Sequence, residues 1–325
     1  MSRILITGAT GFVGQEVCRQ LRDLGHTLTG TTRDNGLYAG PENIPLYCMP
    51  GFSAEMDWSQ AVAGADVVIH LAARVHQMDD QASDPLSEYR RVNVEGTRSL
   101  ATAAAAAGVK RFVFLSSIKA NGEKTDGAAY SEDDTPAPVD AYGLSKWEAE
   151  QALTAIVNNK DMDLVVLRSP LVYGPNVGGN FASLAKAVIK KWPFPLGAVI
   201  NRRSLVYVGN LASAITTCLD HPNASGETFF VSDGKDLSTG DLVRYMAEAA
   251  GVTARIIHCP LWLLYLAGTV TGRRQAIERM TQSLEVESAK IRRVLSWSPP
   301  YTMPEGLRET MSSLSAGMSP PSDSQ

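Results

Sequence analysis

The chain has 325 residues, 44% hydrophobic and 20% charged, enough for a sizeable core in one or two closely joined domains, which excludes a wholly disordered chain. A formal net charge of −4 lacks the basic excess of a nucleic-acid binder, so no nucleic-acid partner is expected. Four scattered cysteines, Cys18, Cys48, Cys218 and Cys259, form no C-x-x-C pair and suggest neither a disulfide framework nor a metal site. No signal peptide and no membrane span are expected, and the expected location is cytoplasmic.

In chain order, short apolar runs alternate with helical patterns. Ile4-Leu5-Ile6, Leu28-Thr29-Gly30-Thr31, Val67-Val68-Ile69, Phe112-Val113-Phe114 and Leu164-Val165-Val166-Leu167 read as strands buried on both faces. Between them, residues 12–24 stop at Gly25, residues 99–107 at Gly108, and residues 145–157 carry apolar positions at helical spacing. This pattern predicts an α/β fold of the Rossmann type, a doubly wound parallel sheet over residues 1–169. After Arg168, Pro170, Pro175, Gly178, Gly179, Pro193 and Pro195 mark a change to a smaller mixed α/β substrate lobe, residues 170–203 and 220–310. Residues 204–219, a strand followed by a helix, are expected to return to the first domain, and residues 311–325 read as a disordered tail. The most apolar later stretch, residues 261–270, falls short of the ~20 residues that span a bilayer. It reads as a buried or interface helix, with peripheral membrane contact as the other reading.

The first strand runs into Thr7-Gly8-Ala9-Thr10-Gly11-Phe12-Val13-Gly14. Gly8 permits a tight turn, Gly11 lets backbone amides approach a pyrophosphate, Gly14 allows close helix–strand packing, and the helix N-terminus favours an anion. The second strand ends in Thr31-Thr32-Arg33 without the acid that would bind the ribose hydroxyls of NAD, and Arg33 suits a 2′-phosphate. NADP(H) is therefore the favoured cofactor. Asp34 keeps NAD(H) open, and Arg33 as a solvated loop residue is the alternative.

Tyr142 and Lys146 stand at i and i+4, so both face one ligand, and an ammonium beside a phenol brings its pKa toward a working range. Ser116-Ser117 follow the strand that ends at Leu115, at the sheet edge where ligands bind in such folds. With the glycine loop, His70-Leu71-Ala72-Ala73, Asn93 in Val92-Asn93-Val94-Glu95-Gly96-Thr97, and Tyr142-Gly143-Leu144-Ser145-Lys146, nearly the whole chain resembles an extended short-chain dehydrogenase/reductase of the sugar-nucleotide epimerase/dehydratase family.

The resemblance implies that Ser117 holds the substrate oxygen, Tyr142 exchanges the proton, Lys146 binds the nicotinamide ribose, and Asn93 organises the site. It also implies cofactor contacts from Phe12, Val13, Thr32, Leu71, Ala72, Ala73 and Pro170, the last in a segment that resembles the one beneath the nicotinamide. On the substrate side it implies Asn180, Arg202, Arg203 and, more remotely, Arg279 against the diphosphate of a UDP-sugar. A homodimer is the arrangement it implies. Leu171 stands where many members have Asn, Ile118-Lys119 replace the acid pair of the dehydratases, and Gly51-Phe52 lack an Asp on the adenine side.

Two reactions begin alike with hydride transfer at a sugar carbon. Arg33 favours an NADPH-dependent 4-keto reductase, and Ser116-Ser117-Ile118-Lys119 with residues 201–206 are similar to bacterial reductases that act on UDP-4-keto-6-deoxy-N-acetylglucosamine for O-antigen synthesis. The alternative is a 4-epimerase with tightly bound NAD. A catalytically silent dinucleotide sensor is a third reading, which the presence of Ser117, Tyr142 and Lys146 opposes.

Overall fold

The computed structural model describes residues 1–34, 39–75, 84–158 and 160–317. The first part of the chain runs β1 (Arg3–Thr7), α1 (Phe12–Asp23), β2 (Thr27–Thr32), β3 (Leu46–Cys48), α2 (Ser59–Val62), β4 (Val67–His70), α3 (Pro85–Tyr89), α4 (Gly96–Ala106), β5 (Arg111–Ser117), α5 (Ala141–Val157) and β6 (Asp163–Ser169). There follow β7 (Leu171–Tyr173), α6 (Gly179–Ile189), β8 (Pro193–Phe194), β9 (Leu205–Tyr207), α7 (Val208–Thr217), β10 (Thr228–Phe230) and α8 (Thr239–Ala249). The last elements are β11 (Arg255–Ile256), α9 (Leu261–Val270), α10 (Arg274–Thr281), α11 (Ala289–Leu295) and α12 (Met303–Ala316).

Seven strands form one parallel sheet in the order β10-β6-β5-β4-β1-β2-β3. Alternate residues of each strand point to opposite faces. Ile4 and Ile6 of β1 join Ile69, Val113 and Val165 under α1 and α7, while Leu5 joins Val68, Phe112 and Phe114 under α4 and α5. Ala101 and Ala104 are fully buried, which lets α4 lie close to the sheet. Burial on both faces is why these strands read as continuous apolar runs.

A second lobe is built on Tyr173, Phe181, Val188, Leu205, Tyr207, Val243, Met246, Leu307 and Met311. Its short ladders pair β7 with β9 and β8 with β11. The expected division of the chain needs three corrections. Residues 204–219 return only in part: α7 packs on α1, with the Gln20 amide donating to the Gly209 carbonyl at 3.0 Å, and Val206 of β9 joins that core, whereas Leu205 and Tyr207 of β9 face the second lobe and β9 pairs with β7. β10 and α11, assigned to the substrate lobe, belong to the main sheet and its core, since Phe229 and Ile291 are buried there.

The third correction concerns the C-terminal end, where α12 continues through residues 311–316. A capping box of Thr302 and Glu305 opens it, and Leu307, Thr310 and Met311 form one buried stripe. The Ser-rich composition past Thr310 masked that spacing. The expected tail from residue 318 onward lies outside the described residues. β3 is a three-residue strand at the sheet edge, too short for periodicity to reveal.

Candidate active site

The strand order reverses between β1 and β4, and their carboxyl ends open the crevice in which such sheets bind ligands. Gly8 stands at φ +73°, and a Cβ there would come within 2.9 Å of the Ala72 nitrogen. On Gly14 a Cβ would lie 2.1 Å from the Gly8 carbonyl oxygen, so this glycine sets how closely α1 approaches β1. Gly11 is the N-cap of α1, no side chain caps the helix, and its first turn holds no acid. The unbonded amides and positive end of the helix dipole remain available to a pyrophosphate. Phe12 and Val13 pack their side chains on the cores, so what they offer an anion is backbone amide. These residues fit a dinucleotide.

Across the crevice, the amides of Leu71 and Ala72 donate to Thr7 O and Thr7 Oγ1 at 3.2 and 3.3 Å. Ala73 follows in the same half-buried loop. Buried Asn93 holds this loop in place: its Oδ1 accepts from the Arg74 amide at 2.8 Å, and its Nδ2 donates to Arg74 O and Ser145 Oγ at 3.0 Å. His70 bridges Thr7 Oγ1 and Thr97 Oγ1 at 2.6 and 2.8 Å. Burial, and then Lys146, push His70 down to about 3, so it is a neutral strut rather than an acid–base group. At the other end of the crevice β2 closes on buried Thr32, with Arg33 and Asp34 both exposed just beyond it and the Asp34 amide donating to Thr32 Oγ1 at 3.1 Å.

Ser117 ends β5, and its Oγ accepts the Lys119 amide at 3.2 Å. The carboxylate of Asp140 caps α5 by accepting the Gly143 amide at 2.6 Å. At Gly143 the helix presses against the turn after β5, where a Cβ would lie 2.3 Å from the Lys119 carbonyl oxygen. That closeness sets the Tyr142 side chain beside Ser117, near enough for the serine hydroxyl to favour the phenolate. One turn further on, Lys146 is 3% exposed, with Nζ 4.1 Å from the centre of the Phe114 ring. Burial pushes Tyr142 up to about 12 against the Ser117 hydroxyl, and pushes Lys146 down to about 7 against the pull of Glu150.

Gly143→Ala is expected to cut turnover by about 10²-fold through displacement of Tyr142, with little change in far-UV circular dichroism. Lys146 carries a stability signature of its own. Its pKa in the folded chain lies below the ordinary 10.5, so between about 7 and 10.5 the unfolded chain binds a proton that the folded chain does not. Stability should rise with pH across that window, by up to about 1.4 kcal/mol per unit. Urea unfolding of the cofactor-free protein between pH 7 and 9 should show Lys146→Met flattening the rise.

The remaining candidates separate by environment. Pro170 is buried between β6 and β7, and Leu171 beside it is exposed. Asn180 is exposed in the first turn of α6, whereas its neighbour Phe181 stacks on Tyr173 inside the second lobe. Arg202, expected against the substrate diphosphate, is exposed and pairs with Asp236 at 3.2 Å and Glu285 at 2.7 Å, two acids whose nearness is not visible in the sequence. Half-buried Arg203 donates through Nη1 to the carbonyls of Arg279 and Gln282 at 2.8 and 3.2 Å, and no carboxylate pairs with it among the described residues. Burial pushes its guanidinium below the usual arginine value. Arg203 and Arg279 therefore meet through a main-chain bond. An open cavity of ≈ 650 Å³ lies nearby, walled by Glu123, Tyr130, Val139 and Gln282.

Residues 4–232 match the NAD dependent epimerase/dehydratase family. The chain belongs to that family. It is 40% identical over 315 residues to a UDP-glucose 4-epimerase of Vibrio cholerae, covering 94% of each chain. Among solved structures, UDP-N-acetylglucosamine 4-epimerase from Bacillus cereus superposes with a TM-score of 0.78 at 21% identity, over 97% of this chain and 99% of that one. UDP-glucuronic acid 4-epimerase from Bacillus cereus, in complex with NAD, gives 0.77 at 21% identity, over 98% and 100%. At these identities the structures speak for the fold, which is the extended short-chain dehydrogenase/reductase architecture expected.

These comparisons correct one expectation and leave another without support. The 4-keto reductase reading is overturned, because the relative at 40% identity is a 4-epimerase. The family is NAD dependent, which supports NAD(H) and lends nothing to the preference for NADP(H) drawn from Arg33. A single exposed arginine was a weak basis for cofactor choice, since Asp34 stands exposed beside it.

Sequence reading missed the network behind β5. Glu150 accepts from Ser116 Oγ, from Arg168 Nε at 3.1 Å and from Arg168 Nη2 at 2.6 Å, while Arg168 Nη1 donates to Asn121 Oδ1 at 2.9 Å. Lys119 bridges Asp140 and Glu123 at 2.5 and 2.7 Å, tying the turn after Ser117 to the cap of the helix that carries Tyr142. Glu150 one helical turn after Lys146 was the available signal. Its partner Arg168 lies on another element, and only the fold joins them.

Proposed function

We propose that the protein is a 4-epimerase of a UDP-hexose or UDP-N-acetylhexosamine that works with tightly bound NAD. The observation that carries the reading is the 40% identity, over 94% of both chains, to a UDP-glucose 4-epimerase. The pairing of Tyr142 with Ser117 above buried Lys146 supports it. Gly8, Gly11 and Gly14, with the amides of Phe12 and Val13, hold the pyrophosphate, Asp34 receives the adenosine ribose, and Pro170 and Lys146 flank the nicotinamide ribose. NAD, when bound, supplies the acceptor and then the donor of the carbon-4 hydride.

Ser117 Oγ holds the sugar O4, and Tyr142 Oη takes the O4 proton as the hydride leaves carbon 4. Lys146, once protonated, favours the phenolate and so draws Tyr142 down from about 12. With the other face of the 4-keto sugar presented, Tyr142 would give the proton back to O4 as carbon 4 is reduced. Nothing is consumed. Arg203 receives the substrate diphosphate, with Arg279 and Asn180 around it.

The test is to supply purified protein with UDP-galactose or UDP-N-acetylgalactosamine and to follow 4-epimers chromatographically, with absorbance at 340 nm recorded in parallel. Interconversion of either pair without net absorbance change, and NAD recovered from the denatured protein, is the expected result. Stoichiometric oxidation of added NADPH by a 4-keto sugar nucleotide, with no interconversion, would overturn the reading.

A further inference from the structure

Helix α9 is apolar almost all round, yet only Leu264 and Gly268 of its residues are buried. Those two face the rest of the lobe. A Cβ on Gly268 would meet Ile277 Cγ1 at 2.8 Å, the Arg273 amide donates to the Gly268 carbonyl at 2.7 Å, and the hydroxyls of Tyr265 and Thr281 lie 2.9 Å apart. α9 and α10 thus form a hairpin whose inner contacts use one narrow stripe of α9. On the opposite side Trp262, Leu263, Leu266 and Val270 are 68%, 42%, 52% and 78% exposed. At about 100° per residue they fall within an arc of about 100°, one continuous outward face.

The stretch of chain that carries this face is charged oppositely to the whole. Between Ala249 and Leu284 stand Arg255, Arg273, Arg274 and Arg279 against one acid, Glu278, although the net charge is −4. Arg273 and Arg274 directly follow the apolar face and are exposed, and Arg274 pairs with Glu278 at 3.0 Å. We propose that the α9–α10 hairpin seats on an anionic lipid surface, with Trp262, Leu263, Leu266 and Val270 in the acyl boundary and Arg273 and Arg274 among the headgroups. A second copy is the weaker occupant. The helix is about 15 Å long, and one such face falls well short of the about 800 Å² per partner that a stable interface buries. A lipid boundary needs only these few side chains. α10 leads directly to Gln282 on the cavity wall, so seating the hairpin sets that cavity beside the membrane surface.

Co-sedimentation of the full chain with vesicles tests this, using phosphatidylcholine alone and a roughly 3:1 mixture with phosphatidylglycerol. The protein is expected to pellet with the anionic vesicles, less so at high salt. Leu266→Ser with Val270→Ser should weaken binding by about tenfold or more, and Arg273→Gln with Arg274→Gln should remove the preference for phosphatidylglycerol. Turnover of a soluble sugar nucleotide should stay unchanged in both variants, which keeps this result separate from the identity of the substrate. An equal pelleted fraction with and without vesicles would overturn the proposal. So would a dimer in sedimentation velocity that Leu266→Ser with Val270→Ser dissociates, since that assigns the face to a second copy.

Discussion

Tyr142→Phe is expected to lower turnover by about 10² to 10⁴-fold while NAD binding is retained. The ring remains against Tyr89, with centroids 6.0 Å apart, so α5 keeps its seat and only the proton carrier is lost. Turnover on a soluble UDP-hexose, with NAD occupancy measured on the denatured protein, separates the two effects. Near-normal turnover would remove Tyr142 from the acid–base role. Ser117→Ala should act through the same proton, because its hydroxyl is what lowers the Tyr142 pKa against burial.

Arg168→Met is expected to destabilise the fold by about 3–5 kcal/mol, a large part of the about 5–15 kcal/mol available to a typical domain. Arg168 and Glu150 are each 4% exposed, so removing the guanidinium strands a buried carboxylate whose remaining side-chain hydrogen bond among the described residues is with the Ser116 hydroxyl. Replacing both, Arg168→Met with Glu150→Leu, should recover most of the loss, because the stranded charge and not the missing attraction carries the cost. Urea unfolding of the three proteins checks this. A loss below about 1 kcal/mol in the single variant would mean that the Arg168–Glu150 contacts do not carry this part of the fold's stability.

Several parts of this protein could be read directly from the chain. Continuous apolar runs announce strands covered on both faces, and all five runs named in the sequence fall in the main sheet. The spacing of Gly8, Gly11 and Gly14 between such a run and a helix encodes the turn, since a Cβ would clash with backbone at Gly8 and Gly14 and be tight at Gly11. Tyr142 and Lys146 are one helical turn apart, so their shared face is a local property. Glycine geometry, strand alternation and helix period are short-range, and short-range rules are what a sequence carries openly.

Long-range pairing decided the rest. β10 enters the main sheet beside β6 from a region that otherwise builds the second lobe, and a three-residue strand has no periodicity by which to announce it. Arg202 and Arg203 are adjacent in the chain, yet Asp236 and Glu285 hold one outward while the carbonyls of Arg279 and Gln282 hold the other inward. Residues 261–270 read as a buried or interface helix by composition, with peripheral membrane contact as the other reading, but hydrophobicity does not say which residues find a neighbour. Only Leu264 and Gly268 do so fully, because α10 folds back on that stripe alone and leaves the opposite face to whatever surrounds the molecule.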